Sequence, residues 1–133
     1  MKNLLFTLAL LVSFNSFGQT AEDYIDRAES KYDAGDFYGA IADYTKVIEL
    51  EPSESSEIYL EIGIIKDELN DQYGAIADFS KAIELDPNYA DAFLLRGLSK
   101  YELGDMRGRC SDFIKASKLG NKYATDLYSK LWK

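Results

Sequence analysis

Carboxylates are the only reactive side chains that this chain of 133 residues holds in number: 23 Asp and Glu stand against 15 Lys and Arg, with no histidine and one cysteine, Cys110. Two carboxyls held at a fixed separation across a pocket can serve as the acid and base of a glycosidase. The missing histidine removes the commonest general base and the commonest metal ligand together. The acids here show a different spacing. Asp36, Asp71 and Asp105 each follow a residue that tolerates positive φ, namely Gly35, Asn70 and Gly104. That pairing closes one helix and lets the aspartate cap the next. No loop carries the spaced oxygen ligands of a calcium site, no glycine-rich phosphate loop occurs, and no residues converge as nucleophile, base and orienter. The chemistry therefore reads as that of a protein that is not an enzyme, with no metal and no cofactor.

Charge narrows the partners. A net charge of −8 argues against phosphate backbones and anionic lipid surfaces, so nucleic acid is excluded and a protein or peptide of basic or neutral character is favoured. Cys110 occupies the place held by Ile41 and Ile76 in the repeats described below, which reads as a small buried apolar residue. Its other use is an intermolecular disulfide.

The first 18 residues read as a targeting segment. Lys2 precedes the apolar run from Leu4 to Val12, and Ser16 and Gly18 follow at the spacing of a signal-peptide cleavage site. The run is far short of the roughly 20 residues that span a bilayer. Export with cleavage after Gly18 is expected, to the periplasm or the extracellular space of a bacterium. No membrane insertion is expected afterwards, and the loss of Lys2 makes the mature chain one unit more negative.

The elements that carry these residues are helices. Asp36 to Tyr44 recurs as Asp71 to Phe79 and weakly as Asp105 to Phe113, a period that marks stacked units, each burying its apolar face only against its neighbours. Apolar residues return every three or four positions, and Pro52 and Pro87 end the second helix of their units. Thr20 with Asp23 three residues on signals the first helix start. The pattern predicts hairpins over 21–34 with 37–50, 56–69 with 72–85 and 89–103 with 106–119, then a last helix over 122–132.

These residues resemble tetratricopeptide repeats. The middle unit carries the resemblance through Gly63, Ala75, Phe79, Ala82 and Pro87, and the first through Ala28, Gly35, Ala40, Tyr44 and Pro52. A third, degenerate unit has Gly97, Gly104, Phe113 and Ala116, with Asn121 in place of the proline. The segment from Ala116 to Ala124 also resembles a Sel1-type repeat. The resemblance implies an all-α, right-handed superhelical array of antiparallel hairpins: a signal peptide at 1–18, repeats at 21–54, 55–88 and 89–121, and a capping helix at 122–133 that includes Trp132.

It further implies that the first helix of each hairpin lines a concave face that holds a peptide. The corresponding positions are Ile25, Glu29, Tyr32 and Asp33 in the first unit, Leu60, Glu61, Ile64 and Asp67 in the second, and Leu94, Leu98, Tyr101 and Glu102 in the third, with Glu22, Glu57, Glu68 and Asp91 beside them. An aliphatic and tyrosine floor flanked by carboxylates would prefer a partner with apolar anchors and basic flanks. The cationic clamp with which relatives hold the C-terminal carboxylate of chaperone peptides is missing, since Ile25, Glu29, Glu61, Asp91 and Leu95 stand at its positions. Leu60, Ile64, Leu94 and Leu98 give two helices a second apolar stripe, which must be covered by a ligand, a second copy or the inward curl of the array. The alternative function is accordingly a self-associating subunit of a bacterial envelope assembly, a homo-oligomer. Arg109 stands where the other units place Ala40 and Ala75, and its charge is expected to escape to water, Asp105 or Asp112.

Overall fold

Most helix starts in the computed structural model, which describes residues 19–131, are set by a short polar device that the local sequence supplies. Helix α1 (Ala21–Asp33) opens on a reciprocal cap: Asp23 N donates to Thr20 Oγ1 and Thr20 N donates to Asp23 Oδ2 at 2.8 Å. It closes where Gly35 turns to φ +78°, letting Asp36 N reach the Lys31 carbonyl at 2.8 Å. Asp36 then caps α2 (Phe37–Leu50) by accepting from Gly39 N at 3.0 Å. Asn70, at φ 60°, makes the same turn between α3 (Ser56–Glu68) and α4 (Gln72–Leu85), and Gly104 makes it between α5 (Ala90–Glu102) and α6 (Met106–Lys118). Asp71 and Asp105 repeat the cap on Gly74 N and Gly108 N, both at 2.9 Å. Helix α7 (Lys122–Leu131) starts on Asn121, whose side-chain oxygen accepts from Ala124 N at 2.8 Å.

The seven helices among the described residues form three antiparallel hairpins and a final single helix, within a residue or so of the predicted boundaries. The expected targeting segment and Trp132 lie outside the described residues. A short 3-10 turn, Pro52–Glu54, joins the first two hairpins.

Within a hairpin the helices approach where small side chains meet. Ala40 and Ala75 are fully buried, and the rings of Phe79 and Phe113 fill the space that Gly63 and Gly97 leave open. The first hairpin pairs Ala28 with Tyr44 at these positions, and both are buried. Cys110 is half-buried, as are Ile41 and Ile76.

An aspartate packed between its two helices recurs in every hairpin, buried at Asp43 and Asp112 and half-buried at Asp78. Asp43 receives Arg27 and Lys31, Asp112 receives Arg96 and Lys100, and Asp78 receives Lys66 alone. The hydrogen bond from Arg27, opposed by burial and helped by Lys31, holds the Asp43 carboxyl at about 2. At Asp78 burial outweighs the single lysine and pushes the carboxyl up. The cause lies in the repeat frame, where Ile62 takes the place that Arg27 and Arg96 hold in the flanking hairpins.

Neighbouring hairpins are joined by hydrogen bonds between long polar side chains. Tyr32 donates to Glu68, Ser99 to Asp67 at 2.8 Å, Gln72 to Glu102 at 2.8 Å and Asn121 to Asp91 at 2.6 Å. Three apolar clusters lie between these bridges, centred on Tyr44 and Ile65, on Phe79, and on Phe113.

Candidate functional site

Two depressions open beside the first helices of the hairpins. The larger, of about 340 Å³, is walled by Ile25, Glu29, Tyr32 and Asp33 of α1, Tyr44 of α2, and Glu57, Ile58 and Glu61 of α3. The Tyr32–Glu68 hydrogen bond links α1 to α3, and the four-residue stagger of Ile25 and Glu29, and of Glu57 and Glu61, aims these side chains into the same space. The walls offer four carboxylates and no lysine or arginine. Protein packed around Glu61 raises its carboxyl above the ordinary glutamate range, and the charges of Glu29 and Glu57 raise it further. Tyr44 forms the floor; burial first, and then the charges of Glu61 and Glu29, push its phenol up to about 12. Tyr32 is raised chiefly by its hydrogen bond to Glu68. Burial leads the shifts at Glu61 and Tyr44 and the hydrogen bond leads at Tyr32, with neighbouring carboxylates adding to each.

The second depression, of about 210 Å³, lies between α5, α6 and α7 and is lined by Leu98, Tyr101, Arg109, Phe113, Tyr123 and Leu127. The Arg109 guanidinium sits over the Tyr101 ring with its central carbon 4.8 Å from the ring centroid. Of the expected outlets, neither Asp105 nor Asp112 takes the guanidinium, and the Asp112 carboxylate is already filled. Asp105 caps α6, and Asp112 takes Arg96 at 2.7 and 2.9 Å and Lys100 at 2.8 Å.

Of the twelve positions carried over from the repeat pattern, Ile25, Glu29, Tyr32, Asp33 and Glu61 meet in the first depression, and Leu98 and Tyr101 line the second. The remaining five serve the array itself. Leu60 and Leu94, expected on an open floor, are only 7% and 8% exposed and pack into the second and third apolar clusters. Ile64 is half-buried against the second cluster. Asp67 and Glu102 are tied to the neighbouring hairpin through Ser99 and Gln72 respectively. The array itself thus covers Leu60 and Leu94 of the second apolar stripe and leaves Ile64 and Leu98 partly open. Tyr44 and Ile58 were missed as groove residues, and Phe113, Tyr123, Leu127 and Arg109 as cavity residues. One signal was available for Tyr44, a hydroxyl where the other units have Phe79 and Phe113.

Comparison with known proteins places this geometry. Residues 68–104 match a family model described as TPR repeat. The Arabidopsis OM64 TPR domain superposes with a TM-score of 0.75 at 25% identity, over 84% of this chain and 93% of that one. The first TPR of Spaghetti (RPAP3) bound to an HSP90 peptide gives a TM-score of 0.75 at 22% identity, over 84% and 90%. MamA gives 0.73 at 22% identity, over 80% of this chain but only 62% of its own.

The fold is that of tetratricopeptide repeats.

No curated protein matches the sequence. The first depression lies mainly on α1 and α3, the first helices of their hairpins, and the second is shared by α5, α6 and α7. The Sel1-type reading of the C-terminal TPR unit finds no counterpart in these comparisons.

Proposed function

We propose that this chain is an exported, non-enzymatic scaffold of the tetratricopeptide-repeat family that holds a protein or peptide partner on its concave face. A basic side chain of the partner sits among Glu29, Glu57 and Glu61, and an adjacent apolar side chain packs on Ile25, Ile58 and Tyr44. The observation that carries this reading is the raised Glu61 carboxyl among uncompensated acids. A bound cation relieves that repulsion and is attracted by every carboxylate around it. TPR domains of similar fold have been solved with peptides: that of RPAP3 with the HSP90 peptide SRMEEVD, and the TPR2B domain of yeast Sti1 with an Hsp70 peptide. The acidic walls here favour a ligand of the opposite charge to SRMEEVD. The apolar run from Leu4 to Val12, with Ser16 and Gly18 after it, supports export.

The test uses an acetylated, amidated, fluorescent peptide of alternating leucine and lysine, followed by anisotropy. Binding should be saturable, weaken as salt rises, and fall about tenfold when Glu29→Gln and Glu61→Gln are combined, because charge-assisted contacts of this kind are worth about 1.5–3 kcal/mol. Equal affinity for the double variant and the parent protein would defeat the proposal. Export is checked separately, by sequencing the N-terminus of the product recovered from the periplasm or medium, which should begin at Gln19.

A further inference from the structure

Arg109 is the one residue of α6 that breaks the small-residue rule of the array, and the surroundings it meets are unusual for a cation. Its Nε is buried, and no protein acceptor among the described residues reaches it. Its one described partner is the Tyr101 ring. The rest of the cavity wall is Leu98, Phe113, Tyr123 and Leu127, so no carboxylate is among the lining residues, in a chain whose net charge is −8. The outer rim is open, with Tyr101 49% and Tyr123 58% exposed. A buried N–H with no acceptor costs stability, and a guanidinium presents a flat fork that matches one carboxylate.

We infer that this cavity is an acid-accepting subsite, distinct from the acidic groove, that takes a glutamate or aspartate side chain of a protein partner together with an aliphatic neighbour. The carboxylate meets Arg109, and the aliphatic group fills the space between Leu98 and Leu127. Charge complementarity argues for this occupant: a cationic side chain would be repelled by Arg109, and a purely apolar one would leave the Arg109 guanidinium without a counter-charge in the cavity. The inference rests on the reading of this face as a binding surface and adds to it a polarity. A partner lying along the array carries its basic residue toward α1 and α3 and its acidic residue toward α6 and α7.

The probe is the tripeptide Leu-Glu-Leu, acetylated and amidated so that its only carboxylate is the side chain, compared with Leu-Gln-Leu blocked in the same way. Both are titrated by NMR into 15N-labelled protein. The glutamate peptide should shift the Arg109 Nε–Hε resonance and the amides of Tyr123 and Leu127, and the glutamine peptide should bind at least about tenfold more weakly. Arg109→Met should remove the effect. Indistinguishable titrations of the two tripeptides, or shifts absent from the Arg109 resonance, would overturn the inference even if the leucine–lysine peptide still binds the acidic groove. A change of the Arg109 resonance with protein concentration alone would assign the cavity to a second copy and overturn it as well. The parent protein's own resonance keeps the test decisive if Arg109→Met folds poorly.

Discussion

Lys66 Nζ stands 2.6 Å from Asp78 Oδ2 in the middle hairpin, where the hairpins on either side bring two cations to the corresponding aspartate. The missing cation is Ile62, and its absence separates two carboxylates that the repeat pattern makes equivalent. Asp43 is held at about 2, whereas Asp78 is raised.

The two aspartates should therefore act on stability in opposite directions as pH falls. A carboxyl whose folded value is depressed stabilises the protein above its unfolded value near 3.8, and that contribution disappears as pH drops toward 2. A raised carboxyl favours protonation in the folded state, so Asp78 should add relative stability as pH falls through its raised value. Asp43→Asn should cost about 1–3 kcal/mol at pH 7 by stranding Arg27 and Lys31. Asp78→Asn should cost clearly less. Urea melts of both variants from pH 2 to pH 7 measure the two slopes, and parallel losses in the two variants would refute the distinction.

Gly63 owes its identity to a ring. A Cβ built there would lie 2.5 Å from Phe79 Cε1, and that ring is buried and cannot yield freely. Gly63→Ala should lower stability by about 1–3 kcal/mol and reduce the melting temperature by several degrees, despite alanine's better helix propensity. Calorimetry decides the sign.

Arg109→Ala installs the residue that Ala40 and Ala75 supply in the other hairpins. It gives up a stacking contact worth about 0.5–1 kcal/mol and removes a buried N–H without an acceptor, which costs about 1–3 kcal/mol. The melting temperature should hold steady or rise, while binding of the blocked Leu-Glu-Leu peptide is lost. A clear drop in melting temperature with binding intact would make Arg109 a structural residue.

The pH profile of the acidic groove follows from Glu61. Its carboxyl is raised by burial and by Glu29 and Glu57, so it protonates at a higher pH than an ordinary glutamate and ceases to attract a cation there. Affinity for the leucine–lysine peptide should fall from pH 7 toward pH 4.5, and Glu61→Gln should flatten the upper part of that decline. Anisotropy at constant ionic strength reads both.

Local chemistry made most of the fold legible in the chain. Positive-φ residues followed by aspartate locate the helix turns because the turn needs a residue that tolerates the left-handed conformation, glycine or asparagine, and the next helix needs an acceptor. The recurrence of Ala40 as Ala75 locates the close helix contacts because only small side chains allow them. These are decisions made within a few residues, and a sequence records them directly. The candidate site was legible only in part. Helical periodicity assigns Leu60, Ile64, Leu94 and Leu98 to faces, but the curl of the array decides how far each face reaches the next hairpin. It closes over Leu60 and Leu94, leaves Leu98 at a cavity wall, and spends Asp67 and Glu102 on bridges. The direction taken by Arg109 was likewise settled by tertiary packing: Arg96 and Lys100, arriving from the facing helix, had already filled Asp112, and the aromatic face of Tyr101 was what remained.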